Sequence, residues 1–163
     1  MKLEIEINRQ DYSDFNIFHF YKTRLVRSII ICSVLIIILQ SILNKDKVNI
    51  PATVFSSIVA IIVYFAMIYY SLTNTKKIPK DDGAILGKRE LEFTNDTIIC
   101  REKYSISNSN WTTIKSLEHG KKAFYLYTDT NLAIIIPKRY FISEIERQKF
   151  IEFIDSKISV IQH

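Results

Sequence analysis

Two long stretches of apolar residues dominate the chain. Ser28–Leu43 has 16 residues without a charge, and Val54–Leu72 has 19. Because a helix rises about 1.5 Å per residue, each stretch approaches the roughly 30 Å hydrocarbon core of a bilayer. The pattern predicts two transmembrane helices, at about 25–44 and 54–72, joined into a hairpin by the polar segment Asn44–Pro51. A buried helix of a soluble bundle normally keeps a polar stripe, and neither stretch shows one.

Basic residues cluster where the apolar stretches begin and end. Three precede the first stretch and three follow the second, whereas the connecting loop has two basic residues and one acidic residue: Lys22, Arg24 and Arg27; Lys76, Lys77 and Lys80; Lys45, Lys47 and Asp46. The positive-inside rule then places both termini in the cytoplasm and only the loop around 45–48 on the opposite side. Residues 25–75 are therefore predicted to be a helical hairpin in the inner, cytoplasmic membrane.

The first residues of the chain alternate between apolar and charged side chains. Leu3, Ile5 and Ile7 fall on one face of a predicted strand, Lys2–Asn8. Because an isolated strand is not stable, we expect it to pair with strands of the C-terminal region. Asp11–Lys22 is predicted to be a helix with Asp11 as its N-cap. We expect this helix to pack with the cytosolic domain as part of an N-terminal segment 1–24, although its aromatic residues could instead contact lipid headgroups.

After the second apolar stretch, residues 76–163 change to short β-type segments separated by turn-forming residues. Six strands at antiparallel hairpin spacing are predicted: Arg89–Phe93, Thr97–Arg101, Tyr104–Ser107, Trp111–Glu118, Ala123–Thr128 and Leu132–Ile136.

The region closes with a predicted helix from Glu144 to about Val160. Ser143 and Glu146 form the sequence signature of a capping box at its start. Its predicted apolar face, which should cover the sheet, consists of Ile145, Phe150, Phe153, Ile154 and Ile158. The predicted fold class is thus an α+β membrane protein, with a transmembrane hairpin and a cytosolic antiparallel sheet domain closed by a C-terminal helix.

In this order of segments the chain resembles the YcxB-like family of small bacterial membrane proteins. The resemblance rests on the leading strand, the aromatic helix, the two apolar stretches, the step from Trp111 to Ile114, and the run Ile136-Pro137-Lys138-Arg139-Tyr140-Phe141. It implies a cytosolic domain similar to the pleckstrin-homology fold. It implies no activity that could be assigned to named residues.

Composition and charge narrow the range of functions. The 163 residues include 22 Lys and Arg, 17 Asp and Glu, and only three glycines, for a net charge of +5. Too few glycines are present for a phosphate-binding glycine loop. The positive charge is spread along the chain and flanks the apolar stretches, which is typical of a topology signal and argues against nucleic-acid binding.

The side chains that could support catalysis or bind a metal are scattered. Cys32 and Cys100 lie in different predicted regions, so we expect two free thiols that serve as small packing residues. The three histidines follow no metal-ligand spacing. Glu90 with Glu92, and Glu144 with Glu146, are paired carboxylates without a sign of the pocket that acid–base catalysis needs. We therefore expect no enzyme activity, no cofactor and no metal.

Five residues are predicted as contacts for a partner or for membrane lipids: Arg24, Arg27, Trp111, Lys138 and Arg139. The leading functional hypothesis is a membrane-anchored interaction or regulatory protein that binds an unidentified protein through its cytosolic domain and hairpin. The alternative hypothesis is an immunity protein that protects its cell from a membrane-targeting toxin, with the hairpin as the recognition element. Lipid sensing by the cytosolic domain is a third hypothesis. The oligomeric state does not follow from the sequence.

Overall fold

The computed structural model describes residues 1–43, 50–81, 83 and 85–161. Two compact units are present. Unit 1 comprises Met1–Phe15 and Lys76–His163, and unit 2 comprises Asn16–Thr75. The membrane-type apolar stretches thus belong to a unit that interrupts unit 1 in sequence.

The first sheet of unit 1 has four antiparallel strands in the order β1-β2-β3-β4. Their ranges are β1 Lys2–Ile7, β2 Gly87–Phe93, β3 Thr97–Glu102 and β4 Ile106–Asn110. Strand β1 pairs with β2 along its whole length, with Leu3 opposite Leu91 and Ile7 opposite Gly87. The prediction that the N-terminal strand joins the C-terminal region is confirmed, and the three apolar residues of β1 are buried as the alternation predicted.

The second sheet of unit 1 has three antiparallel strands in the order β5-β6-β7. Their ranges are β5 Ser116–His119, β6 Ala123–Asp129 and β7 Leu132–Pro137. Phe124, Leu126 and Ile136 are at most 1% exposed on the face that meets the core. Pro137 ends an edge strand, where its missing N–H breaks no central ladder.

The predicted strand Trp111–Glu118 is wrong in its first half. Trp111–Thr113 forms a 3-10 turn, closed by a bond from the Ile114 N–H to the Trp111 carbonyl at 2.9 Å. Both Trp111 and Ile114 are buried. Residues three apart point to opposite faces of a strand but to the same side of a 3-10 turn, so the turn is what lets both side chains reach the core.

The predicted strand Tyr104–Ser107 also starts too early. The Glu102 N–H donates to the Ser105 carbonyl at 2.8 Å, and this bond closes the turn between β3 and β4. Strand β4 therefore begins at Ile106 and continues to Asn110, through residues that the sequence analysis assigned to a turn.

The C-terminal helix α4 spans Glu144–Ile161 and begins where it was predicted. The Glu146 N–H donates to Ser143 Oγ at 3.2 Å, while the Glu146 carboxylate accepts from the Ile142 N–H at 2.7 Å. Phe150 and Ile154 are fully buried, but Ile145 is 70% exposed, so its assignment to the apolar face is wrong. Five residues at about 100° each place Ile145 some 140° away from Phe150 around the helix.

Aromatic rings make the contact between α4 and both sheets. Phe150 lies 5.4 Å from the ring of Phe93 in the first sheet and 5.5 Å from Phe124 in the second. Phe141, between β7 and α4, lies 5.2 Å from Phe150. Because all four rings are buried, this cluster is the centre of the unit 1 core.

Helix α1 spans Arg9–His19 and starts two residues before the predicted N-cap. The cap is Asn8, whose Oδ1 accepts the Asp11 N–H, while Asp11 Oδ2 accepts the Asn8 N–H, both at 2.9 Å. Asp11 is therefore the third residue of the helix and the partner of Asn8 in a reciprocal capping box, and its assignment as N-cap is wrong. A single π-helical turn, Phe20–Arg24, continues α1 into the next helix.

Unit 2 consists chiefly of two long apolar helices, α2 at Leu25–Leu43 and α3 at Ile50–Asn74. Both are long and apolar enough to cross a membrane. Pro51 lies in the first turn of α3, where a helix needs no N–H, so α3 begins four residues before the predicted second span. The remainder of the predicted connection, 44–49, lies outside the described residues.

Small and polar residues make up most of the contact between α2 and α3. The least exposed positions recur every three or four residues on each helix: Ser28, Cys32, Ile36 and Gln40 on α2, and Thr53, Ser56, Ser57, Ala60 and Tyr64 on α3. The Gln40 amide donates to Ser56 Oγ at 2.6 Å and to the Thr53 carbonyl at 3.2 Å. Large apolar residues such as Ile37, Ile62 and Met67 are 62–67% exposed.

We expect Ile5→Ala to destabilise unit 1 by about 2–5 kcal/mol, because Ile5 is 2% exposed in the strand that joins the N-terminal and C-terminal segments. Thermal unfolding of the full chain in detergent, followed by Trp111 fluorescence, measures the change. Glu4→Ala is the matched control, since Glu4 is the exposed neighbour on the same strand. Equal melting temperatures for Ile5→Ala and Glu4→Ala would contradict the pairing.

Candidate interaction site

Arg139 makes the most extensive polar contacts of the five predicted contact residues. Its Nη1 and Nη2 donate to the two carboxylate oxygens of Asp11 at 2.6 and 2.8 Å, and Nη2 also donates to the Glu6 carbonyl at 2.8 Å. The buried Asp11 carboxylate raises the pKa of Arg139 above its ordinary value. These bonds, two of them a bidentate pair with the carboxylate, join the connection between β1 and α1 to the segment that follows β7.

Lys138 and the nearby turn between β5 and β6 also contact other parts of unit 1. The Lys138 ammonium lies 4.8 Å from the centre of the Phe124 ring, and its backbone N–H donates to the Lys122 carbonyl at 2.9 Å. Lys122 Nζ lies 2.9 Å from an Asp14 carboxylate oxygen on α1. Lys122 and Arg139 thus connect α1 to the end of the second sheet, and Lys138 is bonded to Lys122 through the backbone.

Trp111 is a core residue. It is 4% exposed, lies between the rings of Phe93 and Phe153, and donates its indole N–H to the Thr94 carbonyl at 3.2 Å. Thr94 directly follows β2. The Glu6 carbonyl, which accepts from Arg139, lies opposite Lys88 at the start of β2. Trp111 and Arg139 therefore lie at opposite ends of the first sheet. The structure therefore does not bring them into one site.

Arg24 and Arg27 lie in unit 2. Arg24 ends the π-helical turn and Arg27 is the third residue of α2, and both are exposed. The sequence from Asn16 to Thr75 has a single acidic residue, Asp46, so these arginines belong to a strongly basic segment.

The paired carboxylates are bound to basic or backbone groups. Arg101 Nη1 lies 3.0 Å from Glu90 and 2.7 Å from Glu92, and this hydrogen bond lowers the pKa of Glu92. Glu144 pairs with Arg147 at 2.6 Å. A carboxylate that is stabilised in its charged form, as Glu92 is, is a poor general acid.

Cys32 is buried and Cys100 is half-buried, and His163 lies outside the described residues. Burial raises the pKa of the Cys100 thiol, which makes it a weaker nucleophile than an ordinary cysteine. The His119 ring packs edge-on against Phe124 at 5.4 Å. Among the described residues no group of His, Cys, Asp or Glu is arranged to hold a metal ion.

The turn between β3 and β4, together with β4, is a surface that the sequence analysis missed; we name Lys103–Asn110 the β3–β4 hairpin. Tyr104 is 82% exposed and Ile106 is 73% exposed. None of the five residues of β4 is buried, and β4 is the edge strand of its sheet. The Lys103 ammonium lies 4.7 Å from the centre of the Tyr104 ring. The sequence carried a signal for this exposed surface. Tyr104 and Ile106 stand beside the polar run Ser107-Asn108-Ser109-Asn110, and so polar a run is not expected in a strand that another segment covers.

The model of the YcxB-like protein family matches residues 93–154, from the end of β2 into α4. The predicted resemblance is confirmed over that segment. No curated protein and no solved structure matches the chain.

We expect Arg139→Gln to lower the free energy of unfolding by about 1–3 kcal/mol, because it leaves a buried carboxylate short of its main donors. Asp11→Asn in the same chain should restore part of the loss, since an amide carries no charge to compensate. Lys121→Gln, at an exposed turn position, is the control and should change stability by less than about 0.5 kcal/mol. An additive effect of the two substitutions, measured by denaturant unfolding, would show that the pair is not coupled.

Proposed function

We propose that this chain, whose residues 93–154 are YcxB-like, is a non-enzymatic protein of the bacterial inner membrane. Unit 2 anchors it, and unit 1 binds a protein partner in the cytoplasm. Anchoring raises the effective concentration of unit 1 toward other proteins at the membrane.

The contact between α2 and α3 supports membrane anchoring. In water, helices bury large apolar side chains against one another, but here serines, a threonine, an alanine, a cysteine and a glutamine make up most of the contact, with Ile36 and Tyr64, while most isoleucines and leucines are exposed. Small residues and hydrogen-bonding groups at the interface are typical of helices that pack in lipid, where apolar surface gains nothing from helix contact.

The strand order supports a pleckstrin-homology-like arrangement for unit 1. A four-stranded sheet is followed by a three-stranded sheet and then by a helix that packs on both through Phe150. In this arrangement the helical hairpin is inserted between the first two strands.

The exposure of the β3–β4 hairpin is the observation that carries the proposal. An edge strand with unpaired backbone groups can accept a strand from another chain, and natural proteins usually cover or charge such an edge. Here β4 has neither a buried residue nor a charged one, and Tyr104 and Ile106 add exposed apolar area beside it. These features favour a protein partner that adds an extended segment to β4.

Protection from a membrane-inserting toxin stays the alternative prediction. It requires the helical hairpin, and not the β3–β4 hairpin, to make the decisive contact. Substitutions confined to one hairpin therefore separate the two functions.

A photo-crosslinking amino acid at Tyr104 or Ile106, introduced into the full chain in living cells, should give one discrete protein adduct. Leu132 is the matched control, because it is an apolar residue 63% exposed at another β-turn of unit 1. The adduct should be strong at positions 104 and 106 and absent at 132. Equal adducts at all three positions, or adducts with lipid alone, would contradict a protein site on the β3–β4 hairpin.

Single-cysteine labelling should place both ends of the chain in the cytoplasm, as the distribution of basic residues predicts. In a chain with Cys32→Ala and Cys100→Ser, an impermeant maleimide added to intact cells should modify Lys47→Cys but not Lys2→Cys or Gln162→Cys. Permeabilised cells provide the control, because all three positions should then react. Labelling of residue 2 in intact cells would reverse the topology.

A further inference from the structure

An apolar groove lies within unit 2, between the segment around the π-helical turn and the C-terminal part of α3. It encloses about 300 Å³, and we name it the aromatic groove. Aromatic and aliphatic side chains line most of it, with one hydroxyl at its edge: Phe20, Tyr21, Leu25, Phe65, Tyr69 and Leu72, with Thr73. Tyr21 and Tyr69 remain 61% and 72% exposed, so the groove is open to a ligand from outside the unit.

The π-helical turn shapes this groove. Ile17 and Leu25 both line it although they are eight residues apart. In a regular α-helix that spacing leaves the two side chains about 80° apart, whereas one extra residue in the π turn reduces the angle to about 20°. The local distortion thus places Leu25 in line with Ile17, so that both face the same groove.

The electrostatic surroundings of the groove favour an anion. Lys22 and Arg24 lie between two lining residues, Tyr21 and Leu25, and Arg27 follows two residues later. No Asp or Glu occurs among the described residues of unit 2, so the net charge of these residues is positive. Tyrosine rings beside arginines and lysines are typical of the interfacial layer of a membrane, where they contact headgroups and the upper acyl chain.

From these observations we infer that the aromatic groove binds one anionic phospholipid, with part of an acyl chain against the aromatic rings and the phosphate beside Lys22 and Arg24. The volume lies at the low end of ligand sites, which suits part of a single chain and not a folded protein segment. The inference rests on the proposed membrane location. It assigns a lipid contact to Arg24, whereas Arg139 is engaged inside unit 1.

The test is photolabelling of the full chain in nanodiscs of phosphatidylcholine that contain a small amount of a photoreactive phosphatidylglycerol, with the labelled peptides mapped by mass spectrometry. We expect the label to concentrate on peptides that line the aromatic groove, and a photoreactive phosphatidylcholine to label them much less. Arg24→Gln should reduce groove labelling by phosphatidylglycerol roughly fivefold, the loss expected for one basic contact at an anionic surface.

Two variants test the groove itself. Leu25→Trp and Thr73→Phe fill it from different helices and should each reduce the labelling to that of the rest of α3. Val26→Trp is the matched control, because Val26 is 70% exposed and does not line the groove. Uniform labelling along α2 and α3, equal labelling by both lipids, or unchanged labelling in Leu25→Trp and Thr73→Phe would overturn the lipid site. Protein adducts at Tyr104 do not depend on this groove, so their persistence would leave the proposed function intact.

Discussion

The pairing of β1 with β2 is the interaction on which the architecture depends. Two segments about 85 residues apart in sequence form one continuous ladder, from Lys2 opposite Glu92 to Ile7 opposite Gly87. Burial of Leu3, Ile5 and Ile7 contributes about 1.5–3 kcal/mol for each side chain, which offsets the entropy of closing so long a loop. The ladder makes unit 1 a single body although the helical hairpin interrupts it in the chain.

A second set of contacts fixes α1 at the place where the chain leaves unit 1. The Asn8–Asp11 capping box determines where the helix begins, and Arg139 donates to both oxygens of the same carboxylate. One helical turn after Asp11, the ring of Phe15 packs against the rings of Tyr125 and Tyr127, with centroid distances of 5.4 and 6.1 Å. Burial there raises the pKa of Tyr125. Asp11 thus serves the local helix and the tertiary contact at once.

The two units use opposite packing rules. Unit 1 buries large aromatic rings around Phe150, as a domain in water does. Unit 2 exposes its large aliphatic residues and places small or polar ones between its helices. Each rule fits a different solvent, and this contrast within one chain is the physical basis for the proposal that unit 2 lies in the membrane.

Periodic signals were strong enough in sequence to predict the outline of the fold. The alternation of Leu3, Ile5 and Ile7 indicated β1, uninterrupted apolar runs indicated α2 and α3, and Ser143 with Glu146 marked the start of α4, because each depends on near neighbours in the chain. Contacts between residues that are far apart in the chain leave no pattern in the sequence around either residue. Sequence reasoning offered Arg139 as a contact for a partner or for lipids, extended a strand through Trp111, and overlooked the exposed edge of β4. Only the tertiary structure decides these three, since the Asp11 carboxylate, the Phe153 ring and the missing neighbour of β4 are set by how remote segments come together.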